Sequence, residues 1–283
     1  MARFESVTGK YVYFDVQGKE YRVYFEENGQ GIPLVCQHTA GSDGRQWRHL
    51  MNDIDVTSLY RVVAFDLPYH GKSLPPESVE WWKEEYMLHK SFLFDFHTEF
   101  IRALGLERPV YIGCSMGGHL APDLALERPD AYRAVIGVEG NICSPEDPMR
   151  MWMYHPKISN DFRMHTMMSM MGPGSPEKYR RETVWEYGQG APFVFRGDLH
   201  YYFAEHDLTG RTHQIDTSRV GVYLMAGEYD AAVSPVEGRA LADSIKGAKF
   251  TELKGLGHFA MCENYGLFKT YLMPVLKEIA GKP

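Results

Sequence analysis

Apolar and polar residues fall into short runs along most of this chain, and the runs predict alternating strands and helices. Residues 10 to 26, with "YVYFDVQGKEYRVYF" at their centre, read as a hairpin that turns at Gly18. "IPLVCQHTAG" follows as a short buried strand ending in a polar loop, and "DGRQWRHLMNDI" after it is helix-like. "YRVVAFDLPYHGKS" is a second buried strand that breaks into a Pro/Gly loop. "SFLFDFHTEFIRALGLE" carries apolar residues at helical spacing, with Gly105 near its end. "RPVYIGCS" is a third strand, "GGHLAPDLALERPDAY" a helix in spite of Pro122, and "YRAVIGVEG" a fourth strand. After an interruption, "RVGVYLMAGEYD" and "AKFTELKG" resume the strand type, with the helix-like "PVEGRALADSIKG" between them. "CENYGLFKTYLMPVLKEIA" closes the chain as an amphipathic helix.

Strands alternating with helices predict an α/β protein, a mostly parallel sheet flanked by helices. The interruption, residues 144 to 218, is rich in Met, Trp, Tyr and His and has no clear strand run. It reads as a helical cap inserted into a core made of residues 1–143 and 219–283. No internal repeat and no low-complexity tract divides the chain further.

The candidate chemistry begins at "VYIGCSMGGHLAP", where Ser115 stands between Gly113 and Gly117 at a strand-to-helix junction. In a G-x-S-x-G elbow the serine occupies a strained turn that lifts its hydroxyl above the sheet edge. A Cβ at either glycine would collide with the tightly folded backbone. Glycine and serine are also common in ordinary turns, so the rest of the chain decides. A serine nucleophile needs a base, and the base needs an orienting acid. In an open parallel sheet these belong on loops at the carboxyl ends of strands. Asp230 in "LMAGEYDAAVSP" and His258 in "LKGLGHFAMCEN" each follow a strand run. Asp66 and Glu139 also end strands, and Glu139 competes with Asp230 for the place of the acid.

The segments "LVCQHTAGSDGRQW", "VVAFDLPYHGKS", "IGCSMGGHLA", "LMAGEYDAAVSP" and "GLGHFAMCEN" resemble the α/β-hydrolase superfamily from about residue 20 to the end. The resemblance implies the α/β-hydrolase fold, with Ser115 as nucleophile, His258 as base and Asp230 as orienting acid. It places one oxyanion-hole N–H at Met116 and the other at Ala40, with Thr39, where glycine is usual, as the rival donor. His38 is expected to buttress that loop. His38, Thr39, Trp152, Met167 and Met168 are the candidate substrate contacts. Aspartate is the nucleophile in the dehalogenase and epoxide-hydrolase branches, and a serine at the elbow argues against both. Esterases, lactonases, thioesterases, C–C hydrolases and hydroxynitrile lyases share this frame. The expected activity is a serine esterase cleaving small to medium apolar or aromatic carboxylic esters through an acyl-enzyme. Two alternatives stay open: a C–C hydrolase of ring-cleavage products, and a ligand-binding receptor on a hydrolase frame.

Composition changes this picture little. The net charge of -7 argues against nucleic acid or an anionic membrane as partner. No signal-peptide core or membrane-span run is found, and the four cysteines are widely separated, so the expected location is the cytoplasm. His155, His165, His200, His206 and His213 lack metal-ligand spacing, so neither metal nor cofactor is expected. The expected partner is a small-molecule ester, with a homodimer left open.

Overall fold

Strands β1 (Thr8–Val16) and β2 (Lys19–Asn28) form the hairpin, turning at Gln17 and Gly18 with φ of 51° and 75°. Two consecutive left-handed residues match the right-handed twist of the flanking strands, which explains a glycine here. The structure is a computed structural model, and residues 2–155, 157 and 159–282 are described.

Six further strands follow: β3 (Ile32–Gln37), β4 (Tyr60–Phe65), β5 (Val110–Cys114), β6 (Ala134–Val138), β7 (Gly221–Gly227) and β8 (Lys249–Leu253). They join the hairpin in one eight-stranded sheet of order β1-β2-β4-β3-β5-β6-β7-β8, parallel from β4 onward. Every residue of β5 and β6 is buried, as strands covered on both faces require. The chain passes from β3 outward to β4 and then returns to β5 on the other side of β3. The loops after β3 and β5 therefore diverge and leave a crevice at the carboxyl edge, where ligands bind in open α/β sheets.

Helices α1 (Lys90–Ala103) and α2 (Met116–Glu127) precede the segment between β6 and β7. That segment carries a short helix (Met149–Trp152), α3 (Asn160–Ser169), α4 (Glu177–Gln189), α5 (Pro192–His200) and a π-helical turn (Tyr201–Glu205). Buried Arg163 on α3 donates to the Tyr187 and Gly190 carbonyls at 2.6 and 2.9 Å, binding α3 to the end of α4. Helices α6 (Pro235–Ser244) and α7 (Tyr265–Ala280) complete the fold.

One predicted helix is broken. Residues 43–54 form a 3-10 turn (Gly44–Trp47) and a four-residue helix (Arg48–Met51), and a second short helix (Ile54–Thr57) follows. The Asp53 carboxylate accepts the Asp55 N–H at 2.9 Å, and this cap starts a new helix where the old one would have continued. Among the described residues no helix is long and apolar enough to cross a membrane.

Candidate active site

Ser115 sits between β5 and α2 with φ 56° and ψ -113°, a conformation that a non-glycine residue adopts only under constraint. Its N–H donates to the Val138 carbonyl at 2.9 Å, and its carbonyl accepts the His119 N–H at 2.8 Å. The glycines around it are there for space. A Cβ on Gly113 would lie 2.6 Å from the Gly117 backbone, and one on Gly118 would lie 2.1 Å from the Val138 oxygen. A Cβ on Gly117 would meet the Gln37 side chain at 2.8 Å, so there the obstacle is a neighbouring strand's side chain, not the elbow's own backbone.

The loops after β7 and β8 bring Asp230 and His258 together. His258 Nδ1 and Asp230 Oδ2 are 2.7 Å apart, and both residues are buried. Burial pushes the Asp230 carboxyl up, but the charge and hydrogen bond of His258 outweigh it and keep Asp230 below the usual carboxylate range. The Ala232 N–H, donating to Asp230 at 2.7 Å, acts the same way. Glu139 does not reach His258. Both its oxygens accept the Gly227 N–H, at 2.9 and 3.0 Å, and its carboxyl stands behind Asp230. Complete burial, then the Asp230 charge, raises Glu139 well above the carboxylate range.

Sequence reasoning missed Glu263. This fully buried carboxylate accepts the Gly257 N–H at 2.7 Å, the Phe259 N–H at 3.2 Å, the Gly172 N–H at 2.9 Å and the Ser175 hydroxyl at 3.0 Å. It thereby fixes the backbone on both sides of His258 and ties it to the loop after α3. The His258 N–H also donates to the Met170 carbonyl at 2.9 Å. Only glycine fits at 257, since a Cβ there would lie 2.4 Å from the Met170 oxygen. The sole signal in the sequence was an acid within the apolar run "HFAMCEN".

On the loop after β3, the Thr39 N–H donates to Gln46 at 2.9 Å, and the Thr39 hydroxyl bonds to the Tyr187 hydroxyl. The Ala40 N–H has no hydrogen-bond partner among the described residues. Of the two, Ala40 has the free donor. His38 lies fully buried behind the loop, accepting the Leu67 N–H at Nε2 and donating from Nδ1 to the Thr39 carbonyl, at 3.1 and 2.8 Å. Burial, with help from neighbouring His70, pushes its pKa down to about 4, so it stays neutral and acts as a brace.

Ser115 and His258 share the wall of a cavity of about 70 Å³, with Thr39, Ala40, Met153, Met167, Met170, Tyr187, Phe195, Tyr202 and Phe203. The Ser115 hydroxyl makes no hydrogen bond to His258 here; such contacts commonly tighten only when substrate is bound. Three of the expected contacts do not line this cavity. His38 is behind the loop, Trp152 is 54% exposed and packs on Phe162, and Met168 is half-buried outside the wall. Met167 and Met170 are three apart and share a face at helical spacing, whereas Met168 is rotated away from it. Arg150 reaches the same wall, 16% exposed. Its Nη1 is 3.1 Å from Glu146, and its buried Nε has no partner among the described residues. A larger polar cavity of about 380 Å³ lies beyond Gly41 and is lined by Asp43, Asp66 and His70, away from Ser115.

The sheet order, the elbow and the placement of the later loops define an α/β-hydrolase fold. Residues 32–169 match the family model described as "alpha/beta hydrolase fold", and the chain has that fold. A 2-hydroxy-6-oxononadienedioate/2-hydroxy-6-oxononatrienedioate hydrolase of Paraburkholderia phymatum is 31% identical over 144 residues, 50% of this chain and 48% of that protein. The match thus spans about half the length of this curated relative. Among solved structures, a thermophilic esterase from Thermogutta terrifontis superposes with a TM-score of 0.77 at 20% identity, covering 96% of this chain and 99% of that one. The enol-lactonase from Burkholderia xenovorans LB400 gives 0.77 at 20% identity, covering 94% and 99%.

Proposed function

We propose that this protein is a serine hydrolase that cleaves small to medium apolar or aromatic carboxylic esters through an acyl-enzyme. The observation that carries the reading is the strained Ser115 sharing one apolar cavity with a His258 bonded to Asp230. In this mechanism the Ser115 oxygen attacks the ester carbonyl while His258 Nε2 takes its proton. The Ala40 and Met116 N–H groups face the oxygen that becomes negative. His258 then gives the proton to the departing alcohol, leaving an acyl group on Ser115. A water, deprotonated by His258, attacks that group, and collapse of the second tetrahedral intermediate releases the acid and restores the hydroxyl. Asp230 holds the imidazole in the tautomer with Nδ1 protonated and stabilises the cation that forms. Residues 144–218 serve as the cap that covers the acyl group. Ser115→Ala is expected to abolish turnover of a short p-nitrophenyl ester while leaving circular dichroism and melting temperature unchanged. Near-normal turnover by that variant refutes the assignment.

A second reading is C–C hydrolysis of a vinylogous diketone acid, the chemistry named for the curated relative. Arg150 favours it, because a half-buried guanidinium at an apolar wall, its Nη1 on Glu146 and its Nε without a partner among the described residues, could turn to a substrate carboxylate. Steady-state assays on an aryl ester and a ring-cleavage diketone, side by side, separate the two readings.

A further inference from the structure

Far from Ser115 in sequence, three side chains converge where the last turn of the inserted segment meets the start of α1. His89 precedes α1 but makes no side-chain cap to it; its Nδ1 lies 2.7 Å from Glu205 Oε1 instead. His200, at the end of α5, brings its Nε2 to 3.2 Å from the same oxygen. The two imidazoles meet edge to face, with centroids 4.9 Å apart. The other oxygen of Glu205 accepts the Lys90 N–H at the head of α1, which fixes the carboxylate and leaves Oε1 turned toward both rings. All three donor atoms lie within 4.8 Å of one another.

We propose that His89, His200 and Glu205 form a binding site for a divalent transition-metal ion of the zinc type, which clamps the end of the cap to the core. Two imidazole nitrogens and one carboxylate oxygen make a recurrent zinc ligand set, with bonds of about 2.0–2.2 Å. Tetrahedral geometry at those lengths separates donor atoms by roughly 3.3 Å. The 3.2 Å pair stands near that separation, the 2.7 Å pair lies inside it, and the two imidazole nitrogens lie within 4.8 Å; His89, whose side chain is 47% exposed, can turn to bring all three to that spacing. The same exposure lets an ion enter and leaves the fourth position to water. Nitrogen donors select this class of ion over magnesium or calcium, which prefer all-oxygen shells.

The position gives the ion a consequence. His200 and Glu205 bracket the π-helical turn Tyr201–Glu205, and Tyr202 and Phe203 within that turn line the cavity of Ser115. π-Helical insertions are rare and concentrate at functional sites. An ion held by both ends of the turn and by His89 would restrain the two aromatic walls from outside. The site is structural and takes no part in the reaction, so its test is independent of the activity proposed above.

The test uses full-length protein stripped with a chelator and titrated with zinc chloride alone, followed by calorimetry and thermal melting. The expected result is saturable binding of one ion per chain with a rise in melting temperature. His89→Ala and His200→Ala should each weaken that binding by roughly tenfold or more. His89→Cys, which replaces one zinc ligand by another, should retain it. Melting of each variant in chelator provides the folding control, and His89→Cys against His89→Ala separates ligand loss from damage to α1. Absence of saturable binding in the unaltered protein overturns the proposal, as does binding of equal strength in His89→Ala and His200→Ala.

Discussion

Glu263 offers a sharp test of what holds the histidine loop. Glu263→Ala removes the acceptor for three backbone N–H groups and one hydroxyl, all buried, at 2.7 to 3.2 Å. A hydrogen bond to a charged group contributes about 1.5–3 kcal/mol, while removing the carboxylate also relieves the cost of burying it. The four bonds share one acceptor group and are not additive, so a loss of roughly 4 kcal/mol is expected. At about 2–4 °C per kcal/mol, that is a fall in melting temperature on the order of 10 °C. Glu263→Gln behaves differently. Its amide oxygen can keep the three bonds now made to Oε1, and its amide nitrogen faces only the Phe259 N–H, so roughly 1–2 kcal/mol is lost.

The loop adds a kinetic reading to the melting curve. Gly257 and Phe259 flank His258, and displacement of a catalytic group by about 1 Å can cost ~10²-fold in rate. Ester turnover should therefore fall strongly in the alanine variant at a temperature where it is still folded, and only modestly in the glutamine variant. Urea unfolding and p-nitrophenyl ester kinetics on both variants give the two numbers. An alanine variant within about 1 kcal/mol of the parent, with unchanged kcat, would show that the carboxylate clamps nothing.

Two further outcomes follow from the buried carboxylates. Asp230→Asn should lower kcat by about 10³–10⁴ by favouring the wrong histidine tautomer. Glu139→Gln, which still can donate to Asp230, should cost far less; a larger loss at Glu139 would exchange the roles of the two acids. Asp66 is raised from the ordinary 3.8 to about 6 by burial and then by the charge of Asp43. Between those values the folded protein keeps a proton that the unfolded chain has lost, so stability falls as pH rises across that window, by no more than about 3 kcal/mol. Asp66→Asn should flatten that slope in melts from pH 4 to pH 6, and an unchanged slope would refute the assignment.

The strands were legible because a sheet buried on both faces demands nearly unbroken apolar runs, and β5 and β6 are such runs. Ser115 directly follows β5, and Asp230 and His258 lie in the loops after β7 and β8, so the strand runs alone singled them out as candidates. What escaped the sequence depends on side-chain direction and on contacts between distant segments. Met168 and Met170 differ only by rotation about a helix axis, yet only Met170 reaches the cavity. His200 has Glu205 five residues on, but the third donor, His89, lies on a different element far away in the chain. Glu263 looks like one more charge opening an amphipathic helix; two of its bonds are local, to Gly257 and Phe259, and the other two emerge only once Gly172 and Ser175 pack against the histidine loop. Between Thr39 and Ala40, the sequence could not show that Gln46, seven residues on, takes the Thr39 N–H and leaves the Ala40 N–H as the free donor.

These contacts also constrain how a substrate enters under the proposed reading. A cavity of about 70 Å³ is several-fold smaller than the ~300–1,000 Å³ of ordinary ligand sites, so an aryl or medium acyl group requires the wall to retreat. The retreat cannot start at Met170–Gly172, because the Met170 carbonyl is bonded to His258 and the Gly172 N–H to Glu263. Moving that corner would break the base out of position and bare a buried carboxylate. Nor does it start at the end of α4, where Arg163 bonds the Tyr187 and Gly190 carbonyls and Tyr187 bonds Thr39. The rest of the wall includes Arg150 of the short helix Met149–Trp152, Met153, and the turn bearing Tyr202 and Phe203. Trp152 and Met151 are more than half exposed, so the short helix gives up little buried apolar surface on moving. Opening there leaves Ser115, His258 and Asp230 in register while the pocket enlarges. The bonds at the ends of the turn, from His89 and Lys90 to Glu205 and from Tyr201 and His206 to Asp123, are then the ones that limit how far it can swing.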